Sequence, residues 1–167
     1  IITISAKIEG YPSVCFDNSS GFYKGISHLI EAHKCRRIGF VSGAMTSDDA
    51  MQRLDTYRRC LKDHGITYQD GRVVYGNFTE YSQEIVRDLM RRNPDLDAVV
   101  FANDMMAIGG YKVFREMGLR VGRDISVMGF DNSACALTLE PNLSTVNADP
   151  MQLGYQAVMN YQDILSG

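Results

Sequence analysis

Short apolar runs alternate with longer stretches in which apolar residues recur every three to four positions, and the two patterns predict different elements. Positions 14–16, 38–41, 73–75, 98–101 and 125–128 are nearly continuous apolar runs. They are too short for helices and lack the alternation of a strand with one wet face, so they read as strands buried on both sides. Between them, 21–33, 49–64, 81–92 and 105–117 have helical period. Phe22, Ile26, Leu29 and Ile30 fall on one stripe, and Leu54, Tyr57, Cys60 and Leu61 on another. Gly65 and Gly118 stand where a left-handed residue closes a helix. Pro94 marks a turn into the next strand, and Pro141-Asn142 a second irregular stretch.

This strand-helix alternation predicts an α/β fold: a parallel sheet flanked by helices on both faces and joined by right-handed crossovers. At the C-terminal end, 143–146 reads as a further strand and 150–165 as a helix. Pro150 suits its first turn, and Leu153, Ala157, Val158, Tyr161 and Ile164 form its apolar stripe.

At 167 residues with 45% hydrophobic content the chain can bury one full core. It opens without methionine on IleIleThrIle, from which we expect that it begins inside an element and is an excised piece. The net charge of −3 argues against this segment gripping DNA by itself, because neutralising phosphates takes clustered Lys and Arg. The arginine doublets at 36–37, 58–59 and 91–92 are expected near helix C-terminal halves or ends, where cations complement the helix dipole.

Cys15, Cys35, Cys60 and Cys135 form no CxxC pair and no Cys-His cluster, which suits reduced thiols in a cytoplasmic protein better than a metal centre or a disulfide framework. No apolar run approaches the roughly 18 residues of a membrane span, and no signal peptide is visible. Phosphate-binding glycine motifs, HExxH and nucleophile-elbow patterns are missing, and His28, His33 and His64 have no catalytic spacing. Neither an enzyme nor a cofactor is expected.

The polar residues concentrate at strand ends: Asn103-Asp104 after 98–101, and Asp131-Asn132 after the strand beginning at Ile125. The rim beyond the carboxyl ends of parallel strands is where open α/β sheets bind ligands. These segments, together with TyrProSerValCysPheAspAsn at 11–18, HisLeuIle at 28–30, ArgArgIleGlyPheValSerGly at 36–43, Arg53-Leu54, GlyIle at 65–66, AsnPhe at 77–78 and ProAsnLeuSerThrVal at 141–146, resemble the effector-binding region of LacI/GalR-type transcription regulators. The resemblance runs from about Tyr11 to the end and rests on the order and spacing of the pieces.

It implies a type I periplasmic-binding-protein-like fold, in which residues 1–17 finish an N-terminal subdomain, 18–147 form the C-terminal one, and 148–167 return to the first. It further implies a small-molecule effector, a homodimer, a cytoplasmic location, and DNA binding through a helix-turn-helix that this chain does not contain. The same sensor fused to another output, such as a diguanylate cyclase, or a periplasmic sugar receptor, are the alternatives.

Arg53 is the leading ligand-contact candidate, since a guanidinium fork grips vicinal hydroxyls or a carboxylate with two parallel bonds, and the resemblance carries an arginine to this place. Its plain alternative is an ion pair with Asp49 or Asp55 at helical spacing. Asp131 can accept hydroxyl hydrogen bonds, or merely close a turn. Asn103 offers donors and an acceptor, whereas Asp104 is expected to cap the following helix. Phe78 can lie against the apolar face of a pyranose or a planar base, or pack into its own loop. Asp17, at the crossover, reaches either a ligand or the hinge, and Asp49 with Ser47 can add hydrogen bonds from the loop before Arg53. Ala148 stands where several sugar-binding members have glutamine, and SerAspAsp at 47–49 disfavours an anionic ligand. The expected effector is a neutral sugar or polyol.

Overall fold

A computed structural model of the chain describes residues 1–166. The chain divides into two compact units, residues 1–17 with 148–167 and residues 18–147.

The larger unit holds β3 (Ile38–Ser42), β4 (Val73–Tyr75), β5 (Ala98–Phe101), β6 (Ser126–Asp131) and β7 (Ser144–Asn147) in one five-stranded sheet ordered β4-β3-β5-β6-β7. Every pairing is parallel. Chain order therefore reverses between β3 and β5, and the crevice outside the carboxyl ends of those two strands is where such a sheet has room for a ligand.

Four helices cover it: α1 (Ser20–Glu31), α2 (Asp48–Asp63), α3 (Gln83–Arg92) and α4 (Asp104–Glu116). Phe40 of β3 packs against Phe22 of α1 at 5.7 Å and stacks on Tyr57 of α2 at 5.1 Å. Its neighbour Gly39 faces Leu89 of α3, and Phe101 of β5 meets Phe114 of α4 edge-on. Because successive strand residues point to opposite faces, α1 and α2 cover one side of the sheet and α3 and α4 the other. All of β3 and β5 is buried, the reason these segments are continuously apolar. Both predicted helical stripes are buried, and Gly65 and Gly118 have φ of 68° and 72° just past the ends of α2 and α4.

The smaller unit pairs β1 (Thr3–Ile4) with β2 (Ser13–Val14) in parallel and packs both against α5 (Pro150–Ser166).

Several expectations need correction. The run at 14–16 yields only the last residue of a two-residue strand. The strand expected at 125–128 extends through Asp131, so Asp131 is part of β6 and not the residue after it. Arg36 and Arg37 do not sit at a helix end: their backbone amides donate to the Asp97 carboxylate at the entrance to β3. On α5, Ala157 is buried, but Val158, Tyr161 and Ile164 stay exposed. Two strands of two residues each are too small to cover that stripe.

Candidate functional site

Arg53 lies one turn into α2, whose N-cap Ser47 accepts the Ala50 amide at 3.3 Å. Its side chain turns inward and is only 4% exposed. There its Nε donates to Asn18 Oδ1 at 2.9 Å and one terminal nitrogen donates to the Ala102 carbonyl just past β5 at 2.5 Å, while the guanidinium lies 3.8 Å over the Phe130 ring. The plain alternative, a surface ion pair with Asp49 or Asp55, is not what the side chain makes. Instead Asn18 Nδ2 donates to Asp49 Oδ1 at 2.7 Å, so one amide bridges the cation and the carboxylate. Burial lowers the pKa of Arg53, and Asp131 and Asp49 oppose that shift by their charge.

Asp131 ends β6 with a φ of 111°, followed by Asn132 at 54°, two left-handed non-glycine residues in succession. Such backbone costs on the order of 1–3 kcal/mol per residue and persists where its surroundings over-determine it. Asn132 is tied down by its amide on Thr145 Oγ1 and its side chain on Asn147. Burial pushes the Asp131 carboxyl up to about 6 despite the opposing pull of Arg53, with Asp104 and Asp49 adding repulsion.

The doublet after β5 reverses the expected roles. Asn103 is the N-cap of α4, its Oδ1 accepting the Met106 amide at 3.1 Å. Asp104, fully buried, points back under the sheet rim, where its carboxylate accepts from the Ser133 amide at 2.8 Å, the Ser133 hydroxyl at 3.1 Å and the Thr145 hydroxyl at 2.6 Å. A Cβ at Gly129 would lie 2.2 Å from this carboxylate, so β6 must have glycine there. Asp104 thus clamps the loop after β6 to β7 rather than capping a helix.

Phe78 follows β4 with a φ of 57°, half-buried, its ring laid on Gly43 so closely that a Cβ there would lie 2.0 Å from the ring. The Asn103 side-chain amide donates to its carbonyl at 3.2 Å. At the carboxyl rim, where the strand order reverses, Arg53 and Asp49 are joined through Asn18, Asn103 and Phe78 form a separate hydrogen-bonded pair, and the charge of Asp131 acts on Arg53 through space. Asp17 is the exposed last residue of the first segment of the smaller unit.

Sequence reasoning missed Asn18 and Phe130. Each adjoins a residue it did single out, Asp17 and Asp131, and only the fold shows that these neighbours hold Arg53.

The model of the periplasmic binding protein-like domain matches residues 26–167. The chain belongs to that family. Within the periplasmic binding protein-like domains its relatives are transcription regulators, as the sequence resemblance implied. The HTH-type transcriptional regulator CelR of Thermobifida fusca is 34% identical over 155 residues, covering 92% of this chain and 45% of the relative. A solved transcriptional regulator CelR–cellobiose complex superposes with a TM-score of 0.90 at 31% identity over 99% of this chain and 52% of that one. A sugar-binding LacI-family regulator from Escherichia coli, solved with phosphate, gives 0.81 at 32% identity over 88% and 54%. The chain spans about half the length of the proteins it matches. Among the described residues no helix is long and apolar enough to cross a membrane, and no group of three His, Cys, Asp or Glu side chains could hold a metal.

Proposed function

We propose that this periplasmic binding protein-like domain is the effector-sensing part of a LacI-type, cytoplasmic transcription regulator that works as a homodimer, binds DNA through a helix-turn-helix outside this chain, and carries out no catalysis. The effector is a neutral saccharide or polyol, a class to which cellobiose, the ligand of the CelR complex, belongs.

The observation that carries this reading is the state of Arg53. Two of its five donors are spent on Asn18 and Ala102 and its plane is fixed over Phe130, which leaves the remaining donors pre-oriented beside Asp131 and Asp49. A cation flanked by two carboxylates on a strand-end rim offers paired donors and acceptors at one place, the complement of vicinal hydroxyls. Anions meet repulsion from the carboxylates, and an apolar ligand would leave the remaining Arg53 donors and the Asp131 carboxylate without partners. Phe78 supplies an aromatic face at the same rim. Ligand binding drives the output only through unequal affinity for the two conformations of the regulator.

Calorimetric titration of the intact regulator with cellobiose, other neutral oligosaccharides, polyols and sugar phosphates tests the reading. Saturable binding of a neutral carbohydrate that changes DNA affinity supports it. Binding confined to phosphorylated sugars, or none across the panel, overturns it.

A further inference from the structure

Three consecutive residues after β5 each hold a different part of the rim. The Ala102 carbonyl accepts from Arg53 of α2, the Asn103 side-chain amide donates to Phe78 after β4, and the Asp104 carboxylate receives the loop that follows Asp131 of β6. The first two ties act on the candidate ligand-contacting residues themselves. The third acts on the residues just beyond Asp131.

Asp104 is fully buried, and the donors it accepts from, the Ser133 amide and hydroxyl and the Thr145 hydroxyl, are all uncharged. A carboxylate buried among neutral donors is a costly way to tie a loop to a strand, because desolvation of a charge is offset better by a cation. What it gains over asparagine is a second acceptor oxygen: Oδ2 takes both Ser133 donors, and Oδ1 takes that of Thr145.

Thr145 passes the hold on. A hydroxyl has one proton, and Thr145 gives its own to Asp104 at 2.6 Å, so its oxygen is left as an acceptor and takes the Asn132 amide at 3.2 Å. The carboxylate therefore fixes two successive amides, that of Ser133 directly and that of Asn132 through Thr145. Both follow Asp131, which with Asn132 forms the left-handed pair that side chains other than glycine rarely adopt.

We propose that Asp104 and Thr145 are positioning residues of the effector site, an inference that rests on the effector reading of this rim: without touching the ligand, they pin the two amides after Asp131 and so hold its carboxylate beside Arg53.

Because the loss of Asp104 also weakens the fold, the deciding variant is Thr145→Val, which keeps the β-branched shape that suits β7 and loses the hydroxyl. Thr145→Ser keeps the hydroxyl. Both are compared with the wild type by NMR of the intact protein without ligand, through hydrogen exchange of the Asn132 amide and pH titration of the Asp131 carboxyl carbon. Asn132 is exposed, so the Thr145 hydroxyl is what protects its amide. In Thr145→Val that amide should exchange about tenfold faster or more, and Asp131, released from its half-buried place, should titrate below about 6 and nearer the ordinary 3.8. Thr145→Ser should restore both. A substitution that only weakened the fold would speed exchange throughout the sheet and leave the Asp131 titration where it was.

Calorimetry with cellobiose and the other neutral carbohydrates joins this geometry to the ligand: binding should be about tenfold weaker in Thr145→Val and recover in Thr145→Ser. Unchanged Asn132 exchange and Asp131 titration in Thr145→Val, or unchanged affinity despite altered local readouts, overturns the proposal. If the local readouts respond as expected but the wild type binds none of the carbohydrates, the effector reading falls and the positioning of Asp131 stands.

Discussion

The side-chain amide of Asn103 donates to the carbonyl of Phe78 at 3.2 Å while its oxygen caps α4, so one residue both starts a helix and holds a left-handed phenylalanine at the sheet rim. Two substitutions separate these tasks. Asn103→Ala should cost about 1–2 kcal/mol of stability through the lost cap, seen in urea denaturation. Asn103→Asp keeps the cap acceptor and loses the donor to Phe78, so it should spare stability and weaken effector binding. An Asp variant with wild-type affinity would show that the Phe78 tie does not matter to the site.

Arg53 and Asp131 should each be worth about 1.5–3 kcal/mol of effector affinity, tenfold to a hundredfold, as expected for hydrogen bonds to charged groups. Titration calorimetry of Arg53→Ala and Asp131→Ala in the intact regulator checks this. Unchanged affinity in both would remove them from the site.

Asp131 makes binding and stability depend on pH with opposite signs. Its folded pKa, about 6, lies above the ordinary carboxylate value of 3.8, so between those values the folded state holds more protons than the unfolded one and stability falls as pH rises through that window. Asp131→Asn should flatten this dependence in thermal melts recorded between pH 4 and 6. A polyol donating to the ionised carboxylate favours the charged form, so affinity should rise with pH over the same window and binding near pH 6 should release protons. Calorimetry in buffers of different ionisation enthalpy would detect that release, and proton uptake would reverse the assignment.

Asp104→Ala removes the shared acceptor of Ser133 and Thr145 from a fully buried place, and should destabilise by about 1–3 kcal/mol for each buried donor left without a partner, read from the urea midpoint. Asp104→Asn, which sets an amide against those donors, should also destabilise. A loss below about 1 kcal/mol, the size of a surface effect, would mean that water replaces the clamp.

The sheet, its helices and the buried stripes were legible because burial on both faces forces continuous apolar strands, and a helix must turn its apolar stripe to them: β3, β5, α1 and α2 follow directly from composition and period. Strand ends rich in Asn and Asp pointed to one rim for the same reason, since carboxyl ends are where polar residues escape the core. The sequence alone could not decide what each polar residue does there. Neighbours in the chain, Asn103 and Asp104, point to different partners because a helix start turns successive side chains apart, and the partners of Asp104 lie 29 and 41 residues away. Nor could it decide that Arg53 buries its charge on Asn18, Ala102 and Phe130. That choice depends on strand order, which places the ends of β3, β5 and β6 side by side, and order is set by long-range packing that local periodicity does not encode.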